Sequence, residues 1–202
     1  MLDKNPEKVL NDSFIKLQVE FTNYGPNIIL CSKPFIKIEF IKNLIEFCDH
    51  QVILLDFDLL YSGYVKANMI KKNENVKILP SNKIDFENHI KEIIELISRK
   101  KVLVILDSFN VIYNMFDNED SFRFINASIM LLSSIAKNTN SNILVTALGS
   151  KNENGKWVLS PGGKQLIETK NSRIYHLKIQ ESKIILNLLN KNQESEGSFI
   201  LN

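Results

Sequence analysis

The sequence is poor in the features that mark secreted and membrane proteins. Only two cysteines, Cys31 and Cys48, occur in 202 residues, and each lies beside an apolar segment. We therefore expect two buried, reduced thiols rather than a disulfide, as is usual in a reducing compartment. No apolar run approaches the roughly 20 residues needed to span a bilayer. Residues 1–8 also lack the basic-then-apolar order of a signal peptide. These absences predict a cytoplasmic protein with no membrane partner.

An excess of charge of either sign is also missing. The chain has 25 basic and 23 acidic residues, a formal net charge of +2, so a nucleic-acid-binding surface would have to be local. The three histidines, His50, His89 and His176, have no metal-ligand spacing relative to cysteine or acidic residues. Ser108 and Ser150 lack the sequence context of a nucleophile elbow. Neither a histidine-based metal site nor a serine nucleophile is predicted.

Short apolar runs alternate with segments of helical periodicity. A run that is apolar at every position is typical of a strand covered on both faces, as in a parallel sheet. The predicted strands lie at residues 27–31, 51–55, 76–79, 101–106 and 142–146. The predicted helices lie at residues 40–47, 86–97 and 124–135, with Asp85 as the expected N-cap of the second. This alternation predicts an α/β fold built from βαβ units.

The pattern changes after residue 150. Residues 151–163 are polar and glycine-containing, which favours a flexible loop. Residues 172–179 and 183–189 then read as an antiparallel hairpin, completed by residues 198–201. We therefore predict an N-terminal extension, residues 1–24, and one core domain, residues 25–202. Its sheet should be mainly parallel, flanked by helices, with a C-terminal antiparallel hairpin.

The turn after the first predicted strand is where a nucleotide-binding domain holds phosphate. In the pattern G-x-x-x-x-G-K-[ST], glycines let backbone N–H groups approach the phosphates, the lysine neutralises them, and the hydroxyl holds Mg²⁺. Here Cys31 and Ile36 replace the glycines, Lys37 matches the lysine, and Ile38 replaces the hydroxyl residue. Ile36 is β-branched where glycine's conformational freedom is needed, and Ile38 cannot ligate a metal.

Two interpretations of this turn remain open. It is either an ordinary strand–helix connection that binds no phosphate, or a residual ATP and Mg²⁺ site formed by Ser32, Lys33 and Lys37. We expect no cofactor under the first interpretation, and ATP with Mg²⁺ as a residual ligand under the second.

Two further strands end in carboxylates. Asp56 and Asp58 follow the second strand, where a carboxylate either orients an attacking water or simply faces solvent. Asp107 follows four apolar residues, the form of the strand that supports Mg²⁺ in nucleoside triphosphatases. Without a hydroxyl at position 38 it has lost its usual metal partner. Asp107 is therefore a metal ligand only if Mg²⁺ binds, and no residue is assigned as catalytic.

The polar segment after residue 150 carries Lys151, Lys156 and Lys164, with Trp157 among them. Lysines contact nucleic-acid phosphates without reading sequence, and an aromatic ring can stack on an exposed base. These four residues are the candidate DNA-binding set. The alternative is a solvated loop with one anchoring tryptophan.

Taken in order, these segments resemble the ATPase core of the RecA/RadA recombinase family, in its archaeal and eukaryotic branch, over roughly residues 25–202. Residues 27–47 stand at the Walker A strand, loop and helix, and residues 102–108 resemble the Walker B strand. The strand at 52–58 is similar to one that ends in Asp-x-Glu, which places Asp58 at the catalytic glutamate. The resemblance implies a RecA-like P-loop NTPase fold.

The differences from the family pattern are concentrated at the positions that bind the nucleotide or take part in its hydrolysis. Where the family strand continues Asn-Gln, with a glutamine that senses the γ-phosphate, this chain has Ala147 and Leu148. Residues 161–163 are similar to the Gly-Gly that closes the family's second DNA-binding loop. The resemblance therefore implies a pseudo-ATPase, a catalytically degenerate RadA-like paralogue, rather than an active enzyme.

Such a paralogue would be an accessory or hetero-oligomer subunit in DNA recombination and repair. Its partners would be a RecA/RadA-type recombinase or related paralogue, and single-stranded DNA. Two alternatives stay open: an atypical ATP-binding, DNA-dependent ATPase that uses Lys37 and Asp107, and a structural RecA-like subunit of a complex without DNA.

Overall fold

A computed structural model describes residues 6–80, 82–116, 119–153, 155–159 and 169–201. The helices are α1 (Pro6–Asn23), α2 (Pro34–Glu46), α3 (Leu60–Lys66), α4 (Phe86–Ile97), α5 (Phe109–Met115) and α6 (Glu119–Ala136), followed by a 3-10 turn at Lys137–Thr139. The strands are β1 (Asn27–Cys31), β2 (Gln51–Asp56), β3 (Val76–Pro80), β4 (Val102–Asp107), β5 (Asn142–Lys151), β6 (Trp157–Leu159), β7 (Arg173–Gln180), β8 (Lys183–Leu189) and β9 (Ser195–Leu201). Among the described helices, none has both the length and the apolar composition of a bilayer-spanning segment.

One sheet organises the chain. Its strand order is β3-β2-β4-β5-β1-β7-β8-β9, and β6 pairs separately with β5. Strands β1 to β5 and β7 pair in parallel, whereas β8 and β9 add to β7 as antiparallel neighbours. The predicted α/β class, the mainly parallel sheet and the C-terminal antiparallel hairpin are therefore confirmed.

Both faces of the central sheet are covered by helices, which explains why its strands are largely apolar. Successive side chains of a strand point to opposite faces. In β2, Val52 and Leu54 pack in the core that contains α1, α2 and α3, whereas Ile53 and Leu55 pack in the core with α4, α5 and α6. Because both faces are covered, most strand positions bury an apolar side chain, which is worth about 1.5–3 kcal/mol for a residue of this size.

Helix α1 lies in the segment expected as an extension, where no helix is predicted. Phe14, Leu17 and Phe21, spaced by three and four residues, are at most 1% exposed. Their partners include Tyr175, which meets Phe21 edge-on with ring centroids 5.5 Å apart. The Asn27 side chain donates to the backbone carbonyl of Phe21 at 3.0 Å and so ties the end of α1 to β1. The helix is packed on the sheet, although the boundary at residues 24 and 25 stays a prediction.

The predicted loop after residue 150 is partly wrong. Strand β5 continues to Lys151, and β6 returns antiparallel to it, with Lys151 opposite Trp157. This β5–β6 hairpin forms because the polar residues turn back at Gly155, whose φ of +74° suits glycine. Residues 161–163 and Lys164 lie outside the described residues.

Two smaller expectations have different outcomes. Asp85 does precede α4, but no capping bond from its side chain occurs in the described chain, and its carboxylate accepts from Asn82 instead. Cys31 and Cys48 are both free and buried, as predicted.

Candidate functional site

The carboxyl ends of parallel strands meet at one edge of the sheet, and the acidic residues of β2 and β4 meet there. Asp56 and Asp107 are register partners on adjacent strands, and Asp58 lies two residues beyond β2. Lys37 reaches the same point from α2. Crevices at this edge are the usual ligand sites of open α/β sheets. We refer to Lys37, Asp56, Asp58 and Asp107 as the carboxylate cluster.

Lys37 is the centre of the carboxylate cluster. Its Nζ lies 2.6 Å from Asp107 Oδ1 and also donates to Asp58 Oδ2. The lysine side chain and that of Asp107 are wholly buried, and that of Asp58 is 14% exposed. Burial by itself lowers the pKa of Lys37, but the carboxylates of Asp107 and Asp58 outweigh it and raise the pKa above its ordinary value. Lys37 is therefore a buried ammonium ion shared by two carboxylates.

Asp107 sits deepest in the cluster. Burial raises its pKa to about 6, although Lys37 opposes the shift, and the nearby charge of Asp58 raises it further. Its Oδ1 also accepts a hydrogen bond from the Thr146 hydroxyl of β5. Its Oδ2 is buried with no hydrogen-bond partner among the described residues.

Asp56 completes the acidic group. Its Oδ2 accepts from the backbone N–H of Ser62 at 2.7 Å, at the start of α3. Burial raises its pKa, and a close contact with the Asp58 carboxyl raises it as well. Asp56 Oδ1 is a second buried oxygen without a hydrogen-bond partner in the described chain. One oxygen from each of Asp56, Asp58 and Asp107 lies within 4.8 Å of the other two.

The connection between β1 and α2 is too short to form a phosphate loop. Only Ser32 and Lys33 separate the strand from the helix, and both are exposed. Pro34 occupies the start of α2, where its fixed φ suits a helix. Ile36, at the position of the second loop glycine, is already helical and buried.

These residues do not fit a magnesium-bound triphosphate. The segment that would wrap the phosphates is a helical turn, Ile38 offers no metal-ligating hydroxyl, and Lys37 is paired with carboxylates. The predicted cofactor-binding residues therefore lie in different environments. Ser32 and Lys33 are exposed, whereas Lys37 is buried and paired with Asp58 and Asp107.

The β5–β6 hairpin holds the described part of the predicted DNA-binding set. Lys151 Nζ lies 5.9 Å from the centroid of the Trp157 ring, and both Lys151 and Lys156 are exposed. The Trp157 ring also contacts His176 of β7, with ring centroids 4.0 Å apart. Burial, with Lys178 and Lys151 nearby, lowers the pKa of His176 to about 4, so this histidine is neutral at neutral pH.

Sequence reasoning missed several partners of the site. Thr146 supports Asp107 from a strand 39 positions away, and no local signal in its strand distinguishes it. The Asn110 side chain makes two bonds to the backbone of Leu148, accepting from its N–H at 2.7 Å and donating to its carbonyl at 3.0 Å. Leu148 lies within β5 at the position where the resemblance places the γ-phosphate sensor, so this pairing holds the backbone at that position. The only sequence feature that could have indicated this pairing is the amide side chain of Asn110, three residues after Asp107.

Comparison with known proteins adds evidence on the fold alone. The sequence matches no protein-family profile and no curated protein. Among solved structures, the RadB recombinase is similar with a TM-score of 0.53 and 14% sequence identity, over 85% of this chain and 84% of that one. The ATPase domain of a helicase is similar with a TM-score of 0.51 and 10% identity, over 94% of this chain and 86% of that one. The chain therefore has a RecA-like α/β fold.

Proposed function

We propose that this chain is a RecA-like subunit that does not hydrolyse nucleoside triphosphates. It acts through protein contacts, as an accessory or hetero-oligomer subunit in DNA recombination and repair. The observation that carries the proposal is the position of Lys37, wholly buried and paired with both Asp58 and Asp107.

A hydrolysing site would have to break this arrangement. To meet a phosphate, Lys37 would have to leave two buried carboxylates, and an unpaired buried charge costs several kcal/mol. Triphosphate binding also relies on backbone N–H groups and a metal-ligating hydroxyl. The short Ser32–Lys33 connection and Ile38 supply neither.

The assignment to recombination draws on fold likeness, which is the weaker support. One similar structure is the RadB recombinase, and RecA-type domains assemble through heterologous, head-to-tail interfaces that an inactive subunit can occupy. The partner would then be a RecA/RadA-type recombinase or a related paralogue. Affinity purification from the native cell should recover an active recombinase. Recovery of translation or tRNA-modification proteins alone would contradict the repair assignment and favour a structural subunit of a complex without DNA.

We predict that ATP does not stabilise the chain. A ligand that binds only the folded state at about 100 times its Kd adds about 2.7 kcal/mol of stability. For a chain of this size that raises Tm by about 5–11 °C. With ATP in the millimolar range, and free Mg²⁺ held equal with and without nucleotide, we expect less than about 1 °C. A saturable rise of several degrees, accompanied by phosphate release, would favour the atypical ATPase.

We also predict a secondary contact with single-stranded DNA through Lys151, Lys156 and Trp157. Trp157 is the one tryptophan of the chain, so its fluorescence reports binding directly. Removing one lysine that contacts a phosphate of a single strand should lower the slope of log K against log salt by about 0.7. Replacing Lys151 and Lys156 together with glutamine should therefore lower it by about 1.4.

The matched control is the double replacement of the exposed Lys71 and Lys72 with glutamine, which removes the same charge elsewhere on the surface. Equal binding by the two double variants would show that the β5–β6 hairpin is only a solvated turn.

A further inference from the structure

The carboxylate cluster carries more negative charge than its one internal cation balances. Asp56, Asp58 and Asp107 contribute three carboxyl groups, and Lys37 contributes one ammonium group. With all four groups ionised, the formal charge is about −2 in a site sheltered from solvent, where unbalanced charge is unfavourable. Cys31 of β1 adds no further negative charge, because burial raises the pKa of its thiol to about 12. A bound cation would offset this charge.

Two buried oxygens of the cluster are also unused. Asp56 is 1% exposed and Asp107 is wholly buried. Asp56 Oδ1 and Asp107 Oδ2 have no hydrogen-bond partner within the described residues. Buried polar atoms in folded proteins are nearly always paired with protein, water or an ion.

We propose that the cluster binds one hard divalent cation, of the Mg²⁺, Mn²⁺ or Ca²⁺ class, through Asp56, Asp58 and Asp107 and without any nucleotide. Carboxylate oxygens are the preferred ligands of such ions, at about 2.0–2.6 Å. Oxygens on opposite sides of one ion are then about 4.0–5.2 Å apart. The oxygens offered by the three aspartates, all within 4.8 Å of one another, meet that requirement.

Lys37 is compatible with this site. It occupies Asp58 Oδ2 and Asp107 Oδ1, which leaves Asp107 Oδ2 and Asp56 Oδ1 for the ion. Asp58 Oδ1 accepts only from the backbone N–H of Leu60 at 3.2 Å, among the bonds of the described chain, and retains capacity for a ligand bond. One divalent cation brings the formal charge of the cluster to zero. This inference does not depend on the proposed function, because the ion binds without ATP.

The test is titration of the full chain with Mn²⁺, without nucleotide, following free Mn²⁺ by electron paramagnetic resonance. We expect one bound ion per chain, held by the three aspartates. Asp56→Asn should abolish binding, with Asp58→Asn as a second variant if the first does not fold. Asp49→Asn, which replaces an 83% exposed carboxylate outside the cluster, should bind normally.

Two results would overturn the site: no uptake of millimolar Mn²⁺ by the folded chain, or equal uptake by the Asp56→Asn and Asp49→Asn variants. Uptake that appears only when ATP is added would overturn both this site and the proposed non-hydrolysing function. Uptake without ATP, combined with no response to ATP, supports both.

Discussion

Lys37→Met is expected to lower the free energy of unfolding by about 3–5 kcal/mol near pH 8, the usual cost of removing one partner from a buried ion pair. The substitution keeps the length and apolar stem of the side chain but leaves Asp58 and Asp107 without their shared ammonium ion. Urea denaturation measures the loss. Lys37 is wholly buried and makes both of these ion pairs.

The loss should shrink as pH falls. The folded-state pKa of Asp107 is about 6, above its ordinary value of 3.8, even with Lys37 present. Removing the ammonium ion raises it further, so the folded variant binds more protons than the unfolded chain and its stability declines as pH rises through that pKa. At about pH 5 Asp107 is largely protonated, and the cost of the missing cation should be much smaller.

Lys42→Met is the matched control, because Lys42 is on the same helix and pairs with Glu39 at 3.2 Å while about a third exposed. Surface pairs of this kind contribute about 0–1 kcal/mol. A Lys37→Met loss no larger than the control, or one independent of pH, would show that Lys37 does not neutralise the cluster.

Leu17→Ala is expected to destabilise the chain by about 2–5 kcal/mol, the range for truncating a buried leucine and leaving a cavity. Leu17 is wholly buried on the inner face of α1, in the core that also contains Tyr175 of β7 and Leu201 of β9. Thermal and urea unfolding should show this loss within a single transition, because the helix and the sheet share one core.

The control lies two residues away on the same helix. Ile15 is 51% exposed on the outer face, so Ile15→Ala should change stability by about 0.5 kcal/mol or less. Equal effects of the two substitutions would mean that α1 is a detachable extension rather than part of the folded core.

The central sheet is predictable because most positions of its strands are apolar. Strand β1 occupies Asn27–Cys31 and helix α4 occupies Phe86–Ile97, the same bounds as those predicted. Helix α1 is not predicted, although its buried residues have helical spacing. Its partners, Tyr175 and Leu201, are distant in the chain, and a short-range pattern does not show where such a helix packs. The residues of the β5–β6 hairpin are polar, so their sequence predicts a loop. The structure instead extends β5 beyond its apolar run and pairs it with β6.

The sequence alone determined the α/β class and the absence of the phosphate loop's essential residues, since both follow from residue type and order along the chain. Ile36 lacks the conformational freedom of glycine, and Ile38 has no hydroxyl that could bind a metal, whatever fold the chain adopts. Only the tertiary structure decided which side chains Lys37 contacts. Asp58 is 21 positions from it, and the pairing with Asp107 joins a third element. Parallel strands place their carboxyl ends at one edge of the sheet, which brings Asp107 and Asp58 to Lys37 although they are distant from it in the chain.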